Sequence, residues 1–246
     1  MAEAVAPARA WLGWARVVRL GLVQASLGAV VVMTTSTLNR VMVVELALPA
    51  LLPGVLVALH YLVQIARPRM GHGSDVGGRR TPWIVGGMAV LALGGIGAAL
   101  AVALMRDHRV SGIALAFVSF AAIGLGVSAS GTSLLVLLAK RVAPSRRAAA
   151  ASVVWFMMIV GFAVTAGTAG QLLDPYSPGR LVAVTTGISC VAFVVSLLAL
   201  RGLEGPAGVR DVARGADADD APRHRFRAAL AEVWAEPQAR RFTVFV

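Results

Sequence analysis

Cysteine and negative charge are both scarce in this chain of 246 residues. The one cysteine, Cys190, lies within an apolar run, so no internal disulfide can form and neither a metal nor a redox role is supported. Asp and Glu together number 12, and all but one fall in stretches that read as loops or tails, which leaves little for buried acid–base chemistry. His72, His108 and His224 also fall in such stretches without metal-ligand spacing, and no Ser-His-Asp set or phosphate-cradling Gly loop is visible. These absences point away from an enzyme. Charged residues make up only 14% of the chain against 58% hydrophobic, a balance that a soluble core of this length does not need. The chain reads as an all-α, polytopic integral membrane protein.

Crossing about 30 Å of hydrocarbon as a helix takes roughly 20 apolar residues. Six stretches qualify: Val17 to Leu38, Met42 to Ala66, Trp83 to Met105, Gly112 to Leu138, Ala149 to Leu173, and Leu181 to Leu200. The first has no small-residue cleavage site and is followed by more of the same, so it reads as a retained helix rather than a signal peptide. We expect residues 1–202 to form a six-helix bundle and 203–222, rich in Gly, Ala, Asp and Arg, to be a flexible cytoplasmic linker. In 223–237, Phe226, Ala229, Leu230, Val233 and Trp234 recur at helical spacing, as in an amphipathic interfacial helix or a soluble helix packed on the loops. A seventh apolar run starts near Arg241, after Pro237, and is still apolar at Val246; residues 238–246 read as the start of a truncated helix in an incomplete copy of something longer.

The net charge of +11 raises the question of nucleic acid, but a nucleic-acid site gathers its basic residues on one folded face. Here they sit in short segments between apolar runs. With the N-terminus inside, the inner segments hold Arg9, Arg16 and Arg19, then Arg67, Arg69, Arg79 and Arg80, then Lys140, Arg141, Arg146 and Arg147, then the basic residues from Arg201 to Arg241. The outer side keeps only Arg40, Arg106, Arg109 and Arg180, so the positive-inside rule fixes a cytoplasmic N-terminus.

Ionisable groups within a span are costly and therefore functional candidates. Glu45 is the one carboxylate expected within a helix, one turn below the outer surface. Arg40 is close enough in sequence to pair with it, as a structural ion pair or as part of a substrate or proton site. His60, in the second helix, either hydrogen-bonds to a neighbouring helix or offers a ring nitrogen to a metal. Runs of small residues, among them Gly86, Gly87, Gly94, Gly124, Gly126 and Gly161, suit close helix packing.

Between the second and third helices the chain reads Gly71-His72-Gly73-Ser74-Asp75-Val76-Gly77-Gly78-Arg79-Arg80. This resembles the cytoplasmic loop signature of the major facilitator superfamily, departing at Gly73 where a Leu is usual. The resemblance implies a conformational latch formed by Gly71, Asp75, Gly78, Arg79 and Arg80, a carboxylate being stabilised at helix N-termini and Arg forking onto carboxylates. The fifth helix has no Gly-Pro motif of the superfamily's antiporters. Further runs, Thr37-Leu38-Asn39-Arg40-Val41-Met42-Val43-Val44-Glu45-Leu46, Ala58-Leu59-His60-Tyr61-Leu62-Val63, Val154-Trp155-Phe156-Met157-Met158 and Leu173-Asp174-Pro175-Tyr176-Ser177-Pro178, resemble the PucC/LhaA family, the bacteriochlorophyll delivery family of phototrophic bacteria. That resemblance implies the N-terminal half of a twelve-helix, non-catalytic assembly factor for light-harvesting antennae in the intracytoplasmic photosynthetic inner membrane. Its implied partners are antenna alpha and beta polypeptides, the reaction centre–antenna core complex, lipids and bacteriochlorophyll, with His60 as a candidate pigment ligand. An ordinary small-molecule transporter of the same fold is the alternative.

Overall fold

The computed structural model describes residues 11–76, 79–204 and 234–236, with the side chains of Asp75 and Val76 outside that set. The linker beyond Glu204, the interfacial helix apart from residues 234–236, the seventh helix, and Gly77 and Gly78 of the signature lie outside the described residues.

Every described element is helical. Among the described residues, six helices are long and apolar enough to cross a membrane, which makes this a multi-pass membrane protein. The first span joins α1 (Trp14–Val32) through a π-helical turn (Met33–Thr37) to α2 (Leu38–Val44). The second joins α3 (Leu51–Val63) through a 3-10 turn to α4 (Arg67–Val76). The remaining four are α5 (Thr81–Leu104), α6 (Arg109–Arg141), α7 (Arg147–Leu172) and α8 (Pro178–Leu200).

Two boundaries differ from the sequence reading. The first span does not stop at Leu38 but runs on to Val44, and the turn falls at residues 45–50. Ala47 there adopts a left-handed φ of 49° and Pro49 follows, and neither can continue a helix. Hydropathy could not find this turn because the residues from Val41 to Leu52 are almost all apolar, and the lone Arg40 drew the break to itself. The other difference is that Gly71 to Asp75, expected as loop, are helical and extend the second span through α4.

Packing follows the small residues, because lipid supplies no hydrophobic drive between helices and close contact must supply it. The third and fourth spans make the most extensive interface. A Cβ on Gly126 would lie 2.6 Å from the Leu91 nitrogen and 2.7 Å from the Gly87 oxygen, so only glycine permits this approach. The first span packs on the fifth and sixth, the second on the fourth, and the third on the sixth as well as the fourth. Exchanging spans one, two and three for four, five and six leaves this set of pairs unchanged. Three buried hydroxyls return to their own helix: Ser128, Ser130 and Ser196 each donate to the carbonyl four residues earlier.

Candidate functional site

At the signature end of the bundle the carboxylate of Glu204 caps a helix start. Helix α5 begins at Thr81 with no local side-chain cap and no acidic residue in its first turn. Its exposed amides are met by Glu204, just past the sixth span. One carboxylate oxygen accepts from the Arg80 amide at 2.8 Å; the other accepts from the Thr81 amide at 3.0 Å and the Thr81 hydroxyl at 2.7 Å. A negative charge at a helix N-terminus satisfies orphan donors and opposes the positive end of the helix dipole. The same residue's backbone carbonyl accepts from Arg141 at 2.9 Å, at the end of α6. Arg19 of the first span donates to the Arg201 carbonyl, and the Leu12 amide donates to the Arg141 carbonyl at 2.9 Å. Four chain segments, the first span with the residues before it, the start of α5, the end of α6 and residues 201–204, are thus tied together where the third span starts.

The signature residues themselves divide. Gly71 lies in α4 near Thr132 of the fourth span, Arg79 is exposed, and Arg80 is half-buried as the N-cap of α5. The departure at Gly73 has a steric account, since a Cβ there would sit 2.8 Å from the Trp83 ring.

His60 is buried, on the face of α3 that meets the fourth span: its backbone oxygen would lie 2.6 Å from a Cβ on Gly124. Arg67 donates to the Gln64 carbonyl oxygen, which turns the Gln64 amide nitrogen towards His60 Nε2 at 2.9 Å. Nε2 then accepts and Nδ1 carries the proton, buried and without a hydrogen-bond partner. Tyr61 packs edge-on against the ring at 4.9 Å between centroids. The magnesium of a bacteriochlorophyll needs an imidazole lone pair facing open space. This histidine has its lone pair engaged and its ring enclosed, so the arrangement does not fit an axial ligand.

Arg40 and Glu45 exchange the places read from the sequence. Arg40 is on α2, within the first span, while Glu45 follows the helix and lines a cavity with Arg106 and Tyr176. Among the described residues no ion pair joins them.

An apolar groove of about 630 Å³ opens on the outer side of the bundle between the fifth and sixth spans. It exists because the fifth and sixth spans lean on the first far more than on each other. Leu22, Ala25 and Ala29 floor it, Val164 and Thr168 form one wall, and Gly187 sits on the other. Among the described residues, no ionisable or imidazole side chain lines it. The Thr168 hydroxyl is spent on the carbonyls of Val164 and Thr165.

The family described as PUCC protein matches residues 37–246. The chain belongs to this family. Among relatives of this PUCC chain, "Bacteriochlorophyll synthase 44.5 kDa chain" of Rhodobacter capsulatus is 54% identical over 235 residues, covering 96% of this chain and 53% of the relative. "Protein PucC" of Rhodobacter capsulatus is 32% identical, covering 84% of this chain and 47% of the relative. "Protein PucC" of Rhodovulum sulfidophilum is 31% identical, covering 92% and 52%. The chain spans about half the length of these relatives. No solved structure matches it. The PUCC match takes in His60, the signature, Glu204 and both groove walls, while the groove floor on α1 precedes it.

Sequence reasoning missed Glu204 and the groove. For Glu204 the only signal was negative, an α5 start with no acidic residue of its own. For the groove it was a run of small residues on α1, Ala25, Ser26, Gly28 and Ala29, which read equally as helix packing.

Proposed function

We propose that this chain belongs to an assembly factor for light-harvesting antennae that handles bacteriochlorophyll, antenna polypeptides or both, without catalysis. The observation that carries the reading is the apolar groove on the outer side of the bundle, whose walls, among the described residues, offer apolar and hydroxyl groups and no ionisable side chain. A flat macrocycle or its hydrocarbon tail is held there by apolar burial and close packing. The pigment's central metal takes no imidazole from these walls, and His60 is a packing histidine. Exposed apolar residues beside the groove, Trp155, Phe156 and Ile159 on α7, offer a face for single-helix antenna polypeptides. One relative carries bacteriochlorophyll in its name, and that supports pigment as the cargo class.

We further propose that Gly71, Asp75, Gly78, Arg79 and Arg80 act as a latch on the cytoplasmic side, in a photosynthetic inner membrane, with Glu204 fixing the start of the third span beside them. A small-molecule transporter of the major facilitator superfamily is the second reading. The exchange symmetry of the helix pairs favours it, since such folds are built from paired three-helix repeats.

The test is an absorption spectrum of the protein purified in mild detergent from a pigment-producing host. A Cβ on Gly187 meets nothing within 4 Å, so Gly187→Leu fills the groove without disturbing packing. Near-infrared pigment bands are expected in the wild type and in His60→Ala, and are expected to fall sharply in Gly187→Leu. Bands lost in His60→Ala but kept in Gly187→Leu would move the site to the histidine. No pigment in the wild type would favour the transporter reading or a chaperone of polypeptides.

A further inference from the structure

A second cavity, of about 540 Å³, lies at the end of the bundle opposite the signature, between the turn after the first span, the α5–α6 turn and the α7–α8 turn. Its floor is apolar, built by residues such as Leu48, Val102 and Met105. Its rim carries Glu45 and Asp107 together with Arg106 and Arg109. Among the described residues none of these four charges forms an ion pair. Tyr176 stands partly buried at the rim, in the field of both Glu45 and Arg106. The turn that presents it is pinned by Arg180, which donates to the carbonyls of Asp174 and Pro175 at 2.8 and 3.1 Å.

Two cations and two carboxylates held apart around one apolar-floored cavity complement a molecule with one anionic and one cationic group a few ångströms apart on an apolar body. The cavity lies at the ends of the helices long enough to cross a membrane and on the turns between them, the level expected for lipid headgroups. Guanidinium groups fork onto phosphate oxygens, and a primary ammonium donates three hydrogen bonds to carboxylates and is attracted to an aromatic face. We propose that this cavity binds the headgroup of an ethanolamine-type zwitterionic phospholipid, its phosphate on Arg106 and Arg109 and its ammonium on Glu45 and Asp107 beside Tyr176. A choline head cannot donate those hydrogen bonds, and a glycerol head lacks the cation. The site is independent of the groove and of the pigment reading.

The experiment is native mass spectrometry of the purified protein titrated with dioleoyl phosphatidylethanolamine, phosphatidylglycerol or phosphatidylcholine. Retention of the ethanolamine lipid is expected to exceed that of the other two by about fivefold or more, the scale of a pair of charge-assisted contacts. Glu45→Gln with Asp107→Asn is expected to bring ethanolamine and glycerol lipids to parity, and Arg106→Gln with Arg109→Gln to weaken both. The rim residues are exposed, so these variants fold, and an unchanged thermal midpoint verifies it. Equal retention of the three lipids by the wild type, or a preference that survives both double variants, would overturn the proposal. Water-soluble glycerophosphoethanolamine is expected to compete poorly; competition as strong as the lipid's would assign the site to a free solute and overturn the lipid assignment.

Discussion

Removing the Glu204 carboxylate is expected to free the start of the third span. In Glu204→Ala the Arg80 and Thr81 amides and the Thr81 hydroxyl lose an acceptor now 2.7 to 3.0 Å away. A hydrogen bond to a charged group contributes about 1.5–3 kcal/mol, a helix cap about 1 kcal/mol and the dipole a few tenths more. These overlap, because all act through one side chain at a half-buried site that water can reach. The net cost is expected to be about 2–4 kcal/mol, borne locally. Hydrogen exchange reads it directly: amides at 80 and 81 are expected to exchange at least about thirtyfold faster, since each 1.4 kcal/mol is a factor of ten. Glu204→Gln keeps one acceptor oxygen and is expected to fall between. Glu204→Asp is a methylene short of the bridge and is expected to resemble Ala more than Gln. Exchange within about threefold of wild type in Glu204→Ala would refute the reasoning, because water would then cap α5 as well as the carboxylate does.

Other outcomes follow from single distances. Gly126→Ala places a methyl 2.6 Å from the Leu91 nitrogen, a backbone atom that cannot step aside, and is expected to cost about 1–3 kcal/mol in detergent unfolding. Gly187→Ala, with nothing within 4 Å, is the matched control and is expected to stay within about 0.5 kcal/mol. Burial holds the Tyr176 phenol above its ordinary pKa of 10.0, Glu45 raises it further and Arg106 lowers it. Glu45→Gln is therefore expected to lower that pKa and Arg106→Gln to raise it, read from the ultraviolet phenolate signal of a chain with only 2 tyrosines. Because the folded pKa is the raised one, this contribution to stability is complete below pH 10.0 and is lost as pH climbs through the folded value.

What could be read from the sequence, and what could not, divides along a physical line. Span number and helical class follow from transfer of side chains into hydrocarbon, a property summed residue by residue, so six apolar runs became six helices. Turn position follows from backbone geometry, which hydropathy does not register. Arg40 therefore looked like the edge of the membrane, although the turn belongs to Ala47 and Pro49, and the candidate pair with Glu45 came apart. Partnerships across the fold lie further from sequence still. Glu204 and Thr81 are separated by 123 positions, so no local capping pattern could join them. His60 shows the same limit in reverse. Its position within a span was evident, but whether its lone pair was free depended on Arg67 orienting Gln64, a chain of hydrogen bonds visible only in three dimensions. The groove depends on two neighbouring spans touching each other far less than each touches the first, and the small residues that floor it are the same types that elsewhere bring helices together. A stripe of Ala and Gly on α1 thus permits two outcomes, contact or groove, and the lean of α7 and α8 on that helix decides between them.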